Sequence, residues 1–167
     1  MPIFAVFVVQ KIPDGNVTIA ASSFSAYLLV RVLFELISGK YLVGKGEKTK
    51  FYMTIIGKII LSFSYLGFGI STAIWHIFAF YAVAGIGIGL ASPAKYSLFS
   101  THLDKNKETE EWGVYDASVF AGMAFSAALG GFIAKVYGFN VLFYAATVVS
   151  LIGVMPYILY IRHDHSK

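Results

Sequence analysis

Long apolar stretches separated by short polar connections dominate this chain. Five of them predict membrane-spanning helices, because each is close to the ~20 residues that cover ~30 Å of hydrocarbon. They are Thr18–Ser38, Phe51–Thr72, Ile74–Phe99, Gly113–Tyr137 and Val141–Ile161. Residues 2–12 are also apolar, but at ~1.5 Å per residue they reach only a little over halfway across the bilayer. The pattern predicts an all-α membrane protein, a helical bundle of five complete transmembrane helices plus a partial first helix, in a single domain over residues 1–167.

Composition agrees with a membrane-embedded chain. Hydrophobic residues make up 57% of the sequence and charged residues 13%, against about 25% charged residues in soluble domains. The net charge of +4 is spread over short loops and the tail, so it predicts no nucleic-acid partner. We find no catalytic constellation, so we predict neither an enzyme nor a cofactor. The tail residues His163 and His165 lack a third fixed ligand, and no metal site is expected.

Lys and Arg residues fall on alternate connections. One set of connections carries Lys40, Lys45, Lys48, Lys50, Lys105, Lys107, Arg162 and Lys167. The other set carries only Lys11 and Lys135. The positive-inside rule then predicts a multi-pass protein of the cell membrane, in contact with membrane lipid, with a cytoplasmic C-terminus. Because the first helix would start within the membrane, we expect ~8–12 further apolar residues upstream of Met1.

Five ionisable residues lie within the predicted spans, where each is costly unless paired or hydrated. They are Arg31, Glu35, Lys58, Lys95 and Asp116. Arg31 and Glu35 share a helix face, and their depth predicts a compact group with Lys58. Lys95 and Asp116 are expected to pair across the fourth connection. Structural pairing and a role in gating or solute binding both remain open, and Lys95 has a third option, reaching the membrane interface.

Two spans carry regularly spaced small residues, which allow helices to approach closely. In the fourth complete span these are Gly122, Ser126, Gly130 and Gly131, with Ala134 continuing the four-residue spacing. In the third they are Gly85, Gly87 and Gly89, followed by Pro93. The glycines predict close packing and the proline predicts a kink. Ordinary helix packing and a mobile bundle are both compatible with these faces.

Several of these residues resemble motifs of the major facilitator superfamily. Gly39, Gly46 and Lys48 keep the spacing of the family's glycine-rich and basic loop between its second and third helices, while Val43, Gly44 and Glu47 replace its Asp and two Arg residues. The stretch from Gly85 to Pro93 resembles the family's fourth helix. Residues 126–131 resemble part of its fifth helix, and residues 138–143 resemble the turn into its sixth.

The resemblance implies half of a major-facilitator-type fold and a transporter of a small solute that works by alternating access. It implies that Gln10, Arg31, Lys95 and Asp116 belong to the solute pathway or its gates. A parallel homodimer, or a separate second half, would complete the transporter, with the Gly122, Ser126, Gly130 and Ala134 face as the expected contact. The alternative is a non-transporting membrane subunit or degenerate remnant that packs against a partner. No motif specifies the solute.

Overall fold

The structure is a computed structural model that describes residues 2–164, with side chains over residues 3–162. The described residues form α-helices without any strand. In chain order the helices are α1 (Pro2–Lys11), α2 (Val17–Leu42), α3 (Glu47–Gly69), α4 (Ile74–Thr101), α5 (Glu108–Tyr137), α6 (Phe139–Ile152) and α7 (Met155–Asp164). The side chains of His163 and His165 lie outside the described residues, so the prediction that the tail holds no metal site is not tested.

Five helical spans are long and apolar enough to cross a membrane, which confirms the predicted count. Four of them are α2, α3, α4 and α5, and the fifth is Phe139–Arg162, which joins α6 to α7. The helices extend past the predicted bounds at their polar ends; α5, for example, begins at Glu108 and not at Gly113. A helix can continue into the hydrated headgroup region, where charged side chains remain solvated.

The fifth span, predicted as one continuous helix, is interrupted. The helix pauses at Gly153 and Val154 between α6 and α7. Pro156 is the second residue of α7, and it has no N–H for the carbonyl of Ile152. The amide groups of Gly153 and Val154 bond locally to Val149 and Leu151. Proline is well accommodated in a first helical turn, so the interruption precedes Pro156.

The centre of the bundle is formed by α3 and α4, with α2 packed on α4 and α6 packed on α3. The short α1 packs on α2, and its Phe4, Phe7 and Val8 side chains belong to the buried core. In contrast, α5 packs mainly on α6 and touches α1. Gly130 is the only buried residue of α5. This long helix therefore packs less closely than the others and leaves the interior of the bundle partly open.

Candidate functional site

A cavity of about 630 Å³ lies inside the bundle, and side chains from α1 to α6 form its wall. The volume is within the ~300–1,000 Å³ typical of small-molecule sites. Most of the wall is apolar, with Phe4, Phe68 and Phe143 on one side and the small residues of α5 on the other. The cavity is therefore large enough for a small organic molecule.

Three tyrosines from three helices converge on this cavity. Tyr27, Tyr65 and Tyr81 belong to α2, α3 and α4 respectively, and all three line the wall. The rings of Tyr27 and Tyr81 have centroids 5.7 Å apart, and the Phe4 ring lies 4.3 Å from that of Tyr81. Together these rings form a compact aromatic surface at the level of α1.

The tyrosine hydroxyls are the main polar groups of the wall. Among residues 3–162, neither the Tyr65 nor the Tyr81 hydroxyl forms a hydrogen bond to another protein group. Every fully buried side-chain nitrogen or oxygen atom in these residues does have a hydrogen-bond partner. Both hydroxyls are therefore accessible, and both residues belong to the cavity wall. Such groups are costly in a membrane unless water or a solute satisfies them. The Tyr27 hydroxyl lies beside the guanidinium of Arg31.

The small residues of α5 line the cavity. Gly122, Ser126 and Gly130 belong to its wall. A Cβ atom added at Gly130 would lie 3.2 Å from Cδ1 of Ile3, whereas one added at Gly122 would meet no atom within 4 Å. Gly131 also faces open space. This face of α5 therefore contacts a helix only near Gly130, and the rest borders an empty volume.

The glycines of α4 lie at helix contacts. A Cβ atom added at Gly85 would lie 2.7 Å from the carbonyl oxygen of Tyr27, and one added at Gly87 would lie 2.6 Å from that of Gly57. One added at Gly89 would lie 2.8 Å from the carbonyl oxygen of Arg31. These glycines let the α4 backbone touch those of α2 and α3. They explain why these three helices form the most closely packed part of the bundle.

Arg31 and Glu35 form the ion pair that their spacing predicts. A guanidinium nitrogen of Arg31 lies 2.9 Å from Oε1 of Glu35, and both side chains are about one-third exposed. The pair satisfies both charges within α2. Lys58 does not join them, so the predicted three-residue group does not form in this structure. Its Nζ lies 5.6 Å from the ring centroid of Tyr157.

Lys95 contacts aromatic rings and does not pair with Asp116. Its Nζ lies 5.0 Å from the ring centroid of Tyr96 and 5.5 Å from that of Tyr115. Asp116 is exposed, and the described side chains include no ion pair between it and Lys95. The predicted pair fails because the residue of α5 that faces Lys95 is the neighbouring Tyr115.

Lys58, Lys95 and Tyr115 lie one to two helical turns beyond residues of the cavity wall, toward one end of the bundle. Tyr157 contacts Lys58 there, and we call this set of four residues the lysine mouth. Lys58 precedes the cavity residue Leu61 by three positions, and Tyr115 precedes Val119 by four, so each pair shares a helix face. Lys95 follows Ile88, another cavity residue, by seven positions, or about two turns. All of these steps lead toward the end of the bundle that carries residues 43–46 and 102–107. The two lysines follow a contact between α3 and α4: a Cβ atom added at Gly57, next to Lys58, would lie 2.8 Å from Cβ of Ala91, which precedes Lys95 by one turn.

The remaining predicted site residues lie away from the cavity wall. Gln10 is exposed on α1, close to the turn after Lys11. Gly39 is still helical near the end of α2, and Gly46 is the N-cap of α3, so the connection itself is only residues 43–46. Gly44 adopts φ +70°, which favours glycine. Lys48 is exposed in the first turn of α3.

The profile of the Major Facilitator Superfamily matches residues 1–167. This chain belongs to the major facilitator superfamily. It is 28% identical over 145 residues to an uncharacterized MFS-type transporter of Methanocaldococcus jannaschii, covering 86% of this chain and 37% of that protein. It is 23% identical over 145 residues to Multidrug resistance protein 2 of Bacillus subtilis, covering 85% of this chain and 34% of that protein. No solved structure matches the chain.

Membership of the superfamily confirms the predicted fold class. It also confirms the predicted resemblance to a family of transmembrane transporters. The matched segment covers only 37% and 34% of the lengths of these two relatives. This major facilitator protein therefore corresponds to part of the longer transporters, and its six-helix bundle, with α6 and α7 as one span, is half of the fold.

Proposed function

We propose that this chain is half of a transporter that moves a small solute through the central cavity by alternating access. The observation that carries the proposal is the convergence of three tyrosines on a cavity whose wall is otherwise mostly apolar. An unoccupied packing defect would favour a purely apolar lining, because unsatisfied hydroxyls are costly in a membrane. Among the pathway residues expected from the family resemblance, Arg31 lies beside the wall and Lys95 lies at the mouth.

A second bundle would complete the pathway. The match to 37% and 34% of two longer relatives supports a missing half. We propose a parallel two-fold dimer, or a separate second half, on the open side of α5. The face that we expected to form this contact, Gly122 to Gly130, lines the cavity instead. The opposite face carries Ala117, Ala121, Ala124 and Ala128, all exposed, and becomes the proposed contact.

The orientation is part of the same proposal. The end with the lysine mouth also carries Lys40, Lys45, Lys105 and Lys107. By the positive-inside rule this end faces the cytoplasm of the cell membrane, and the mouth opens to that side.

Cysteine accessibility tests the cavity without knowledge of the solute, because the chain contains no native cysteine. Thiol reagents that carry a charge react with a thiolate, which forms only where water reaches the side chain. We expect Ser126→Cys to react from the cytoplasmic side at least ten times faster than Leu29→Cys. Ser126 lines the cavity, whereas Leu29 is 73% exposed on the outside of α2.

The non-transporting alternative gives a different result in the same experiment. A subunit that only packs against a partner needs no hydrated cavity, so Ser126→Cys would be as unreactive as the lipid-facing control. That outcome would contradict the transport proposal. Labelling of Ser126→Cys from the opposite side as well, at a rate that rises when the cytoplasmic side is blocked, would support alternating access.

A further inference from the structure

We propose that the cavity and the lysine mouth together bind an amphipathic organic anion, with its apolar body among the tyrosines and its anionic group between Lys58 and Lys95. The inference rests on the proposed function, because it names the class of solute for the same cavity.

The charges within the spans do not balance. Oε1 of Glu35 forms an ion pair with the Arg31 guanidinium at 2.9 Å. Asp116 is exposed on α5 and does not reach Lys95. Among the described side chains, neither Lys58 nor Lys95 lies within 4 Å of a carboxylate, so two positive charges remain without an anionic partner. Their mutual repulsion and their removal from bulk water would both be relieved by one bound anion.

Aromatic contacts hold the two ammonium groups in place without neutralising them. Lys58 lies 5.6 Å from the Tyr157 ring, and Lys95 lies 5.0 and 5.5 Å from the Tyr96 and Tyr115 rings. A cation–π contact compensates part of the lost hydration but adds no negative charge. Both lysines are half-buried, and both lie one to two turns from the cavity wall. One ligand could therefore place its anionic group at the lysine mouth and its remaining atoms in the cavity.

The cavity suits the apolar part of such a molecule. Its wall consists of phenylalanine and tyrosine rings, aliphatic side chains and the small residues of α5. The tyrosine hydroxyls could each donate one hydrogen bond to a weakly polar group. No ionised side chain lines this volume. The charged end of a ligand is therefore expected at the mouth and the neutral end in the cavity.

Matched naphthalene probes separate the two parts of the site. Naphthoate, naphthylmethanol and naphthylmethylammonium share one ring system and differ in charge. Their binding to the purified full chain in phosphatidylcholine nanodiscs can be measured by calorimetry, with empty nanodiscs subtracted. We expect naphthoate to bind at least ten times more tightly than naphthylmethanol, and the ammonium probe to bind least.

Substitutions test whether the two lysines and the cavity bind these probes. Lys58→Gln and Lys95→Gln should each weaken naphthoate binding about tenfold and leave naphthylmethanol unchanged, whereas Lys135→Gln, at the far end of α5, should change neither. Gly122→Phe should fill the cavity and abolish binding of both probes. Gly131→Phe is its matched control, since both glycines face open space but only Gly122 lines the cavity.

The outcomes distinguish this inference from the proposed function. Equal binding of naphthoate and naphthylmethanol, both lost in Gly122→Phe, would overturn the anionic class and leave the transport cavity intact. Naphthoate binding that survives Gly122→Phe would overturn the joint site. An unreactive Ser126→Cys would overturn the proposed function itself. Nanodiscs containing phosphatidylglycerol separate two sources of the same chemistry: competition with naphthoate would identify the amphipathic anion as a lipid, and its absence would identify a free organic acid.

Discussion

The hydroxyl of Ser38 donates a hydrogen bond of 2.7 Å to the carbonyl oxygen of Gly89 and thereby joins α2 to α4. Pro93 lies four residues after Gly89 and has no N–H to offer this carbonyl. Ser38 is only 1% exposed, so water does not compete for the contact. The serine supplies the donor that the proline removes, and α4 continues as a helix from Ile74 to Thr101 through Pro93.

This relationship predicts that Ser38→Ala lowers the free energy of unfolding by about 1 kcal/mol, because the Gly89 carbonyl loses its donor. In a Pro93→Ala background the new amide at position 93 can serve the same carbonyl, so the cost of Ser38→Ala should fall. Detergent unfolding titrations measure both values. Ser25→Ala is the control, since that exposed hydroxyl bonds only within α2, to Ala21. An equal cost of Ser38→Ala in both backgrounds would disprove the link to Pro93.

The glycines provide a second test, because they occupy two environments. Gly87→Ala should destabilise the bundle by about 1–3 kcal/mol, since its Cβ atom would lie 2.6 Å from the Gly57 carbonyl oxygen and force α3 away from α4. Gly131→Ala meets nothing within 4 Å and should stabilise α5 by up to about 1 kcal/mol through helix propensity. Thermal unfolding in one detergent compares them. Similar changes in stability for the two variants would contradict the close contact between Gly87 and Gly57.

The sequence predicted the spans and the Arg31–Glu35 pair because both depend on local spacing. A run of ~20 apolar residues or an i,i+4 pair of opposite charges can be recognised without tertiary structure. The interruption at Gly153 also has a local signal in the sequence, Pro156, which removes the N–H that would continue the helix.

The rest of the site depends on how helices rotate about their axes. Lys95 faces Tyr115 and not Asp116, and one residue along α5 decides between a cation–π contact and an ion pair. The tyrosines at positions 27, 65 and 81 were not predicted as site residues either. Their signal was a tyrosine about two turns from the same end of each of three successive spans, but only the packing of α2, α3 and α4 directs them into one cavity.

Removing one partner of the Arg31–Glu35 pair should be costly. Glu35→Gln leaves the guanidinium without a full negative charge, and partial exposure of both side chains limits the expected loss of unfolding free energy to about 1–2 kcal/mol. The double change Arg31→Met with Glu35→Leu should recover most of it, because no charge remains unpaired. Glu47→Gln is an exposed control, 3.9 Å from His102. A double variant no more stable than Glu35→Gln would argue against the pair as a structural unit.

The proposed dimer contact can be tested by crosslinking in native membranes. Ala124→Cys lies on the exposed face of α5 opposite the cavity and should form a crosslinked dimer with a short thiol reagent. Val148→Cys is also exposed, on α6, and should not crosslink. Ala121→Trp should reduce the Ala124→Cys crosslink at least fivefold, because a bulky side chain prevents close helix approach. A protein that remains monomeric in lipid while solute flux is intact would contradict the dimer.

The partner of Lys95 can be identified with two double-mutant cycles. Lys95→Gln and Tyr115→Leu should be coupled by about 0.5–1 kcal/mol, because each removes the same cation–π contact at 5.5 Å. Lys95→Gln and Asp116→Asn should instead be additive within about 0.3–0.5 kcal/mol, because their side chains are not paired. Both cycles use the same lysine variant and neighbouring positions of α5, so global effects on the helix cancel in the comparison. Coupling confined to the Asp116 cycle would mean that α5 is rotated about its axis relative to this structure. The lysine mouth would then contain a carboxylate, and one of the two unpaired positive charges that favour an anionic ligand would be neutralised.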